Sequence, residues 1–316
     1  MIRQLRRVLL GAALVLAAGV MAVNTARADD ISIIVVSHGQ ANDPFWSVVK
    51  NGVTQAAEDM DVDVDYRAPE TFDMVAMAQQ IDAAINQEPD GLVVSIPDAD
   101  ALGDAISKAV EAGIPVVSMN SGSDVSKKLG AALHVGQEEY DAGKAGGEKL
   151  AALGGKKGLC VNQEVGNVAL DQRCAGFEAG FGGPVTVLPV SNEPSEVRAK
   201  VKAALDSDAG IDSVLALGAS TAGEPTLAAV EALGKLDSVK VATFDLSADF
   251  LKAVAAGKAA FAIDQQQYLQ GYLPVVFLAM NARLGLIPGG NVPSGPNLIT
   301  KDKAARAVDL SAKGIR

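Results

Sequence analysis

Six short polar clusters in this 316-residue chain carry the side chains that could recognise or transform a small molecule. They are "HGQANDPFW" from residue 38, "NSGSD" from 120, "NQEVGN" from 162, "GAST" from 218, "FDLSAD" from 244 and "DQQQ" from 264. Asn, Asp, Gln and Ser exchange hydrogen bonds with hydroxyl groups, so a cavity built from them would suit a neutral hydroxylated compound. Trp46, the only tryptophan, follows Phe45 directly and stands three residues after Asp43. An aromatic face buries the C–H patches of a sugar-like ring at little conformational cost, and an adjacent carboxylate accepts strong hydrogen bonds from its hydroxyls. The plain alternative is that Phe45 and Trp46 open an amphipathic helix and pack into the core, while the polar residues cap helices and form turns. Paired acids such as Asp43 and Asp245 could also serve as general acid and base in an enzyme. Nothing else supports catalysis: no GxSxG, HExxH or GxxxxGK[ST] pattern occurs, and "LGGKKG" precedes a strand where a dinucleotide loop would follow one. Two cysteines and two histidines without metal-ligand spacing point to neither a metal nor a cofactor.

The elements that must position these clusters are legible as short β-rich runs alternating with helical segments. The runs are 31–37, 62–68, 91–96, 114–119 and 131–136, then 158–162, 185–190, 213–218, 239–245 and 259–264. Between them, stretches such as "FWSVVKNGVTQAAEDM" and "SEVRAKVKAALDS" repeat apolar residues at three- and four-residue spacing. Near-continuous apolar strands alternating with helices imply parallel sheets covered on both faces. Two series of five strands predict two similar α/β lobes, with no flexible linker between them. Ligands of open parallel sheets bind beyond the C-terminal strand ends, which is where all six clusters fall. The segment "LIPGGNVPSGPN", after a last helical stretch, reads as a plain connection.

The first 28 residues read as an export signal: basic "MIRQLRR", an apolar run of about 16 residues, and "ARA" before Asp29. That run is short for a membrane span. Its removal takes away Arg3, Arg6, Arg7 and Arg27 and no acid, so the net charge of −11 becomes −15. This acidity argues against a nucleic-acid partner. In an oxidising compartment the two cysteines, Cys160 and Cys174, form one disulfide, the alternative being two buried thiols.

With these residues in hand, the chain resembles the type I periplasmic sugar-binding proteins of the ribose/galactose-binding family, the receptors of ABC importers. The likeness rests on "DPFWSVVKNG", "GIPVVSMNSG", "ALDQRCAGF", "VATFDLSAD" and "AIDQQQ", in that order, and covers nearly all of the chain after residue 28. It implies two Rossmann-like lobes with parallel sheets joined by a three-strand hinge. Residues 29–136 plus about 267–297 would form the N-terminal lobe, and 137–266 plus about 298–316 the C-terminal lobe. The implied partners are a sugar or polyol, a membrane permease and, in some relatives, a chemoreceptor; the implied state is a monomer in the periplasm.

Carried over position by position, the resemblance makes Asp43, Phe45, Trp46, Asn120, Arg173, Asp245 and Gln265 the ligand-binding residues. Asp43 stands where ribose binders have Asn and galactose binders Asp. Asn120 takes a position that is acidic in the family, and Ser121 replaces an Arg. Asp171 is placed to orient Arg173 or touch the ligand, and a bridge from Cys174 to Cys160 would steady Arg173. Gly218 replaces a ligand Asn and would leave room. The loop from Ser37 to Pro44 is two residues longer, bringing His38 or Gln40 toward the cleft, His38 having a turn as its plain alternative. Loss of the Arg and the Asn argues against ribose and for another pentose, a hexose or a polyol. A sensor of the same fold for a different small ligand, such as an autoinducer, is the alternative, and a sugar-modifying enzyme a more distant one.

Overall fold

The computed structural model describes residues 31–39 and 43–316. The export-signal reading of residues 1–28 and the placement of Gln40 lie outside the described residues. Among the described residues, twelve strands form two six-stranded sheets. The first contains β1 (Ser32–Val36), β2 (Asp63–Arg67), β3 (Gly91–Ser95), β4 (Val116–Asn120) and β5 (Leu133–Gly136). The second contains β6 (Gly158–Asn162), β7 (Val185–Pro189), β8 (Ser213–Ala216), β9 (Lys240–Phe244) and β10 (Phe261–Asp264). All ten lie within two residues of the runs expected from apolar patterning.

The connection after the last long helix holds two more strands that patterning misses. β11 (Val292–Pro293) joins the edge of the first sheet parallel to β5, and β12 (Asn297–Ile299) joins the second antiparallel to β10. Strands of two and three residues are too short to show any periodicity. Each sheet runs 2-1-3-4-5 in its own numbering, the doubly wound order with a switch point between its first and third strands.

Helices α1 (Pro44–Met60), α2 (Met74–Ile85), α3 (Ala99–Glu111) and the single turn α4 (Ser123–Ser126) connect the strands of the first sheet. Then come α5 (Glu139–Ala152), α6 (Val168–Phe181), α7 (Pro194–Ser207), α8 (Glu224–Ala232) and α9 (Ala248–Ala256), followed by α10 (Gln267–Leu284) and α11 (Lys301–Ala312). Each sheet is buried on both faces. Ile34, Val36, Leu92 and Val94 pack under α2 and α3, while Ile33, Val35, Val93 and Val117 pack under α1 and α10. The second sheet repeats this with Val161, Val214 and Val241 on one face and Leu215, Phe244 and Ile263 on the other.

The chain passes between the sheets three times: after β5, after β10, and between β11 and β12. The helix after each of the first two passages packs on the first helix of the sheet it enters. α5 lies against α6, and α10 against α1. Both contacts are backbone-close because glycines sit in them. A methyl group on Gly143 would strike the Arg173 carbonyl, and one on Gly271 the Val49 carbonyl. The two helix starts read alike, "GQEEYDAG" from 136 and "DQQQYLQG" from 264, so one local design is used in both directions.

Cys160 on β6 and Cys174 on α6 are bridged, which fastens α6 to its own sheet. The bridge spans a separation of 14 residues, for which loop-closure entropy gives about 3 kcal/mol. Cys160→Ser together with Cys174→Ser should lower unfolding free energy by about that amount, read from urea midpoints and slopes together. An unchanged midpoint would mean that the bridge adds nothing beyond local packing.

Candidate functional site

The C-terminal strand ends of the two sheets border one cavity, open at its mouth, with about 490 Å³ of space between the atoms once the open solvent there is counted. Asn120, at the end of β4, and Asp245, just past β9, occupy the same place in their two sheets, and both line it. Their φ angles are 62° and 66°. The left-handed conformation costs an ordinary residue roughly 1–2 kcal/mol, and Asn and Asp tolerate it best. Two such residues facing one cavity are the kind of strain that collects at functional sites.

The first sheet supplies the aromatic wall. Asp43 is the N-cap of α1: its Oδ1 accepts the Phe45 N–H at 2.9 Å and Pro44 takes the first helical position. The two readings of this residue are therefore compatible, since its other oxygen remains for a ligand. Trp46 is 5 % exposed and packs in the core beside Val49, yet one edge lines the cavity. Its ring meets Phe45 and His38 edge-on, with centroids 5.2 and 4.7 Å apart. His38 is buried, with its backbone N–H on Ser95 Oγ at 2.9 Å and Nδ1 2.8 Å from the same oxygen. Gly39 is required there, because a side chain would run into the Trp46 ring.

The second sheet supplies charge. Arg173 is 3 % exposed. Its Nε donates to Glu139 Oε2 at 2.6 Å, Nη2 to Oε1 at 3.0 Å and Nη1 to the Leu217 carbonyl at 3.3 Å. The guanidinium also lies over the Phe244 ring, 4.4 Å from its centroid. Burial by itself would lower the Arg173 pKa, but Glu139 outweighs it and the net shift is upward. From α6, Asn167 donates to Glu164 at 2.9 Å and comes within 3.4 Å of His38 Nε2, so the two sheets' loops meet across the cavity. Val168 N–H to the Pro97 carbonyl and Gln172 to Asp124 join the same faces further out, at 3.0 and 3.2 Å.

Nine of the expected residues line this cavity: His38, Asp43, Phe45, Trp46, Asn120, Arg173, Gly218, Asp245 and Gln265. Two do not. Ser121 turns its hydroxyl to Asn120 Oδ1 at 2.9 Å, and Asp171 accepts from Asn162 at 3.0 Å. The orienting partner of Arg173 is therefore Glu139, which sequence reading passed over because it opens a helix without any motif. Nor does Gly218 leave room: a side chain there would meet Gln163 and Thr221. Those two residues, with Glu164, Asn167 and Ser220, complete the polar lining. They stood inside the polar clusters "NQEVGN" and "GAST", but spacing alone did not separate them from turn residues. Ser220 and Thr221 belong to a single π-helical turn, Ala219–Gly223, a distortion common at functional sites.

Buried acids outnumber buried bases here. Asp245 is pushed up to about 7, chiefly by burial, against the pull of Arg173 and the Gln265 hydrogen bond. Asp43 rises to about 6 through burial, opposed by its helix-cap bond and aided by Glu164. Glu164 is raised for the same first reason. His38 falls to about 3 through burial and then Arg173, so it stays neutral and its 3.8 Å approach to Glu164 is not an ion pair. Among the described residues no cluster of His, Cys, Asp and Glu could hold a metal ion, and no helix is long and apolar enough to cross a membrane.

Comparison with known proteins gives a consistent set of relatives. The profile of the periplasmic binding protein domain matches residues 33–285. The crystal structure of a carbohydrate transporter from Acidothermus cellulolyticus 11B, in complex with myo-inositol, superposes with a TM-score of 0.86 at 35 % identity, covering 90 % of this chain and 99 % of that one. The xylose/arabinose-binding protein of Sulfolobus acidocaldarius is 24 % identical over 285 residues, 85 % of this chain and 70 % of that protein. The ribose import binding protein of Haemophilus influenzae is 25 % identical over 270 residues, 82 % of this chain and 87 % of that protein.

Two outcomes test this electrostatic description. Glu139→Ala strands a buried guanidinium and should cost about 3–5 kcal/mol in chemical denaturation; a loss below about 1 kcal/mol would mean that water reaches Arg173. The second concerns pH. Asp43 and Asp245 have raised pKa values in the folded chain, so their share of stability is present in full below the ordinary carboxylate range and is lost as pH rises through about 6 and about 7. Asp245→Asn, which imitates the protonated acid, should therefore stabilise the ligand-free protein at pH 8 and change little at pH 5. Destabilisation at pH 8 would contradict the assignment.

Proposed function

The chain belongs to the periplasmic binding protein domain family, and from that premise we propose that it is the exported receptor of an ABC importer, capturing a small neutral polyhydroxylated ligand between its lobes and passing it to a membrane permease. The observation that carries the reading is the cavity itself. Strand ends of both sheets supply its acids and amides, and one aromatic wall supplies a face for C–H groups. The ligand-binding set is Asp43, Phe45, Trp46, Asn120, Arg173, Asp245 and Gln265, with His38, Gln163, Glu164 and Asn167 beside them. The lobes are 31–136 with about 267–296, and 137–266 with about 297–316, the second boundary falling one residue earlier than the resemblance implies because β12 begins at Asn297 in the second sheet, and they move about the three passages of the chain.

The chemistry is binding alone. Ser95, the hydroxyl nearest His38, is fully buried and holds that residue's backbone N–H, so it is out of a substrate's reach. Ligand selects the closed form through contacts that exist only when both lobes meet it, and the permease reads that form. One chain contains the whole site, which fits a monomer acting in the periplasm.

The hydrogen-bond pattern favours a ring carrying hydroxyls all round. Much of the wall's donor capacity is already used: Asn167 donates to Glu164, Gln265 to Asp245, and Arg173 to Glu139 and Leu217. Among the described residues, the second carboxylate oxygens of Asp43 and Asp245 and the buried, unpartnered Oε1 of Gln163 remain to accept. A cyclitol offers a donor at every ring carbon and no ring oxygen that can only accept. The myo-inositol held by the 35 %-identical relative supports the same class. Thus a cyclitol is the first choice among polyols and monosaccharides, ahead of ribose.

The test is calorimetric titration of refolded protein, stripped of carried-over ligand, with myo-inositol, D-xylose, L-arabinose, D-ribose and D-glucose. One or two compounds should bind selectively, and Asp245→Ala or Trp46→Ala should weaken them roughly ten- to a hundredfold. Affinity should fall as pH drops from 8 to 5, because a protonated Asp245 accepts poorly from a ligand hydroxyl. Tightest binding of ribose would remove the cyclitol reading, and no binding across the panel would remove the sugar and polyol reading with it.

A further inference from the structure

A chain of side-chain amides runs behind the cavity, and its direction is set by a residue outside it. Gln270, on the first turns of α10, is completely buried and is not part of the cavity wall. Its two Nε2 protons are shared among three acceptors, the backbone carbonyl of Gln265 at 3.2 Å, Gln265 Oε1 at 3.0 Å and Ser294 Oγ at 2.9 Å. A backbone carbonyl can only accept. That one bond settles which end of the Gln270 amide is nitrogen, and so which end is oxygen.

The consequence propagates. Gln270 Oε1 must accept, and it takes the Asn120 Nδ2 proton at 3.1 Å. Asn120 Nδ2 also reaches Gln265 Oε1 at 3.3 Å, so both of its protons point away from the cavity. What Asn120 has left is Oδ1, an acceptor already steadied by the Ser121 hydroxyl at 2.9 Å. Gln265 is settled in the opposite sense. Its Oε1 receives Asn120 and Gln270, so its Nε2 faces Asp245 Oδ1 at 2.6 Å and keeps one further proton. Turning any one of these amides round would set oxygen against oxygen, or nitrogen against nitrogen, among side chains that are almost wholly buried.

We propose that Gln270, touching no ligand, is the positioning residue that makes Asn120 an acceptor and Gln265 a donor toward the cavity, and thereby helps determine which hydroxyl pattern the site accepts. The specificity half of this rests on the cavity being a sugar or polyol site; the amide relay does not. Glutamine suits the position because it offers donor and acceptor together. Glutamate could only accept, and leucine could do neither.

The experiment uses the full chain and two variants, Gln270→Leu and Gln270→Glu, each first checked for a cooperative thermal transition. In the ligand-free protein, nitrogen-15 spectra should show the side-chain NH2 groups of Asn120 and Gln265 exchanging slowly with solvent. Gln270→Leu should speed the exchange of both at least tenfold. Gln270→Glu should speed Gln265 alone, since a carboxylate still accepts from Asn120 but repels Gln265 Oε1. That asymmetry separates a directional relay from simple loss of packing, which would disturb both groups in both variants. Unchanged exchange in both variants overturns the proposal, as does equal loss in both; if the leucine variant fails to fold, the glutamate variant alone still decides. With myo-inositol as the probe, Gln270→Glu should weaken binding about tenfold while the wild type retains it. Absence of binding by the wild type would count against the cyclitol reading and leave the exchange result standing on its own.

Discussion

Beneath the cavity a guanidinium almost shut off from water is held by a single carboxylate. Glu139 takes two of Arg173's donors, the Leu217 carbonyl takes a third, and the Phe244 ring lies beneath. Neither charge could be buried alone, because a lone ion in so dry a place costs several kcal/mol. The pair therefore ties the start of α5, just after the chain first passes between sheets, to the second turn of α6. Much else follows from that fixed positive charge. It restrains the upward shift of Asp245, opposes that of Glu164, and helps to keep His38 neutral. A disulfide one residue further along α6 fastens the same helix to its sheet.

The two sheets repeat each other closely enough that their differences are informative. Both end their fourth strand in a left-handed residue, Asn120 in one and Asp245 in the other. The acid stands on the side where Arg173 can moderate its charge. On the opposite side the neighbouring strand β5 carries His134, which burial lowers to about 4 and so keeps neutral. An amide is the group that a site without a cation can bury at low cost, provided its hydrogen bonds are met, and Asn120 has them met at both ends. The repeated helix starts differ in the same way, with Glu139 facing a cation in one and neutral glutamines filling the other.

Sheets, layers and element order were legible from the sequence, because apolar spacing is a local property that burial enforces strand by strand. Ten strands were readable; β11 and β12 were not, since two or three residues carry no period and their pairing depends on where β5 and β10 lie. The membership of the family rested on five motifs that stand together only because the fold brings strand ends to one face. Asp43, Trp46 and Asp245 could be placed beside the cavity from the sequence, because they follow strand ends of parallel sheets.

What the tertiary structure decided was partnership. Asp171 and Ser121 carry suitable atoms near suitable positions, yet both turn to neighbours, Asn162 and Asn120. Gly218 read as open space, which Gln163, from the loop after β6, and Thr221, three residues further along, occupy. Glu139 bears no signature in its own segment, and its role exists only because α5 packs on α6 closely enough for glycines to be needed between them. Local sequence sets what a residue can donate, accept or bury. Which of those capacities is used depends on the atoms that packing brings within about 3 Å, whether from an adjacent residue, as for Ser121, or from another helix, as for Glu139, and no spacing along the chain encodes that choice.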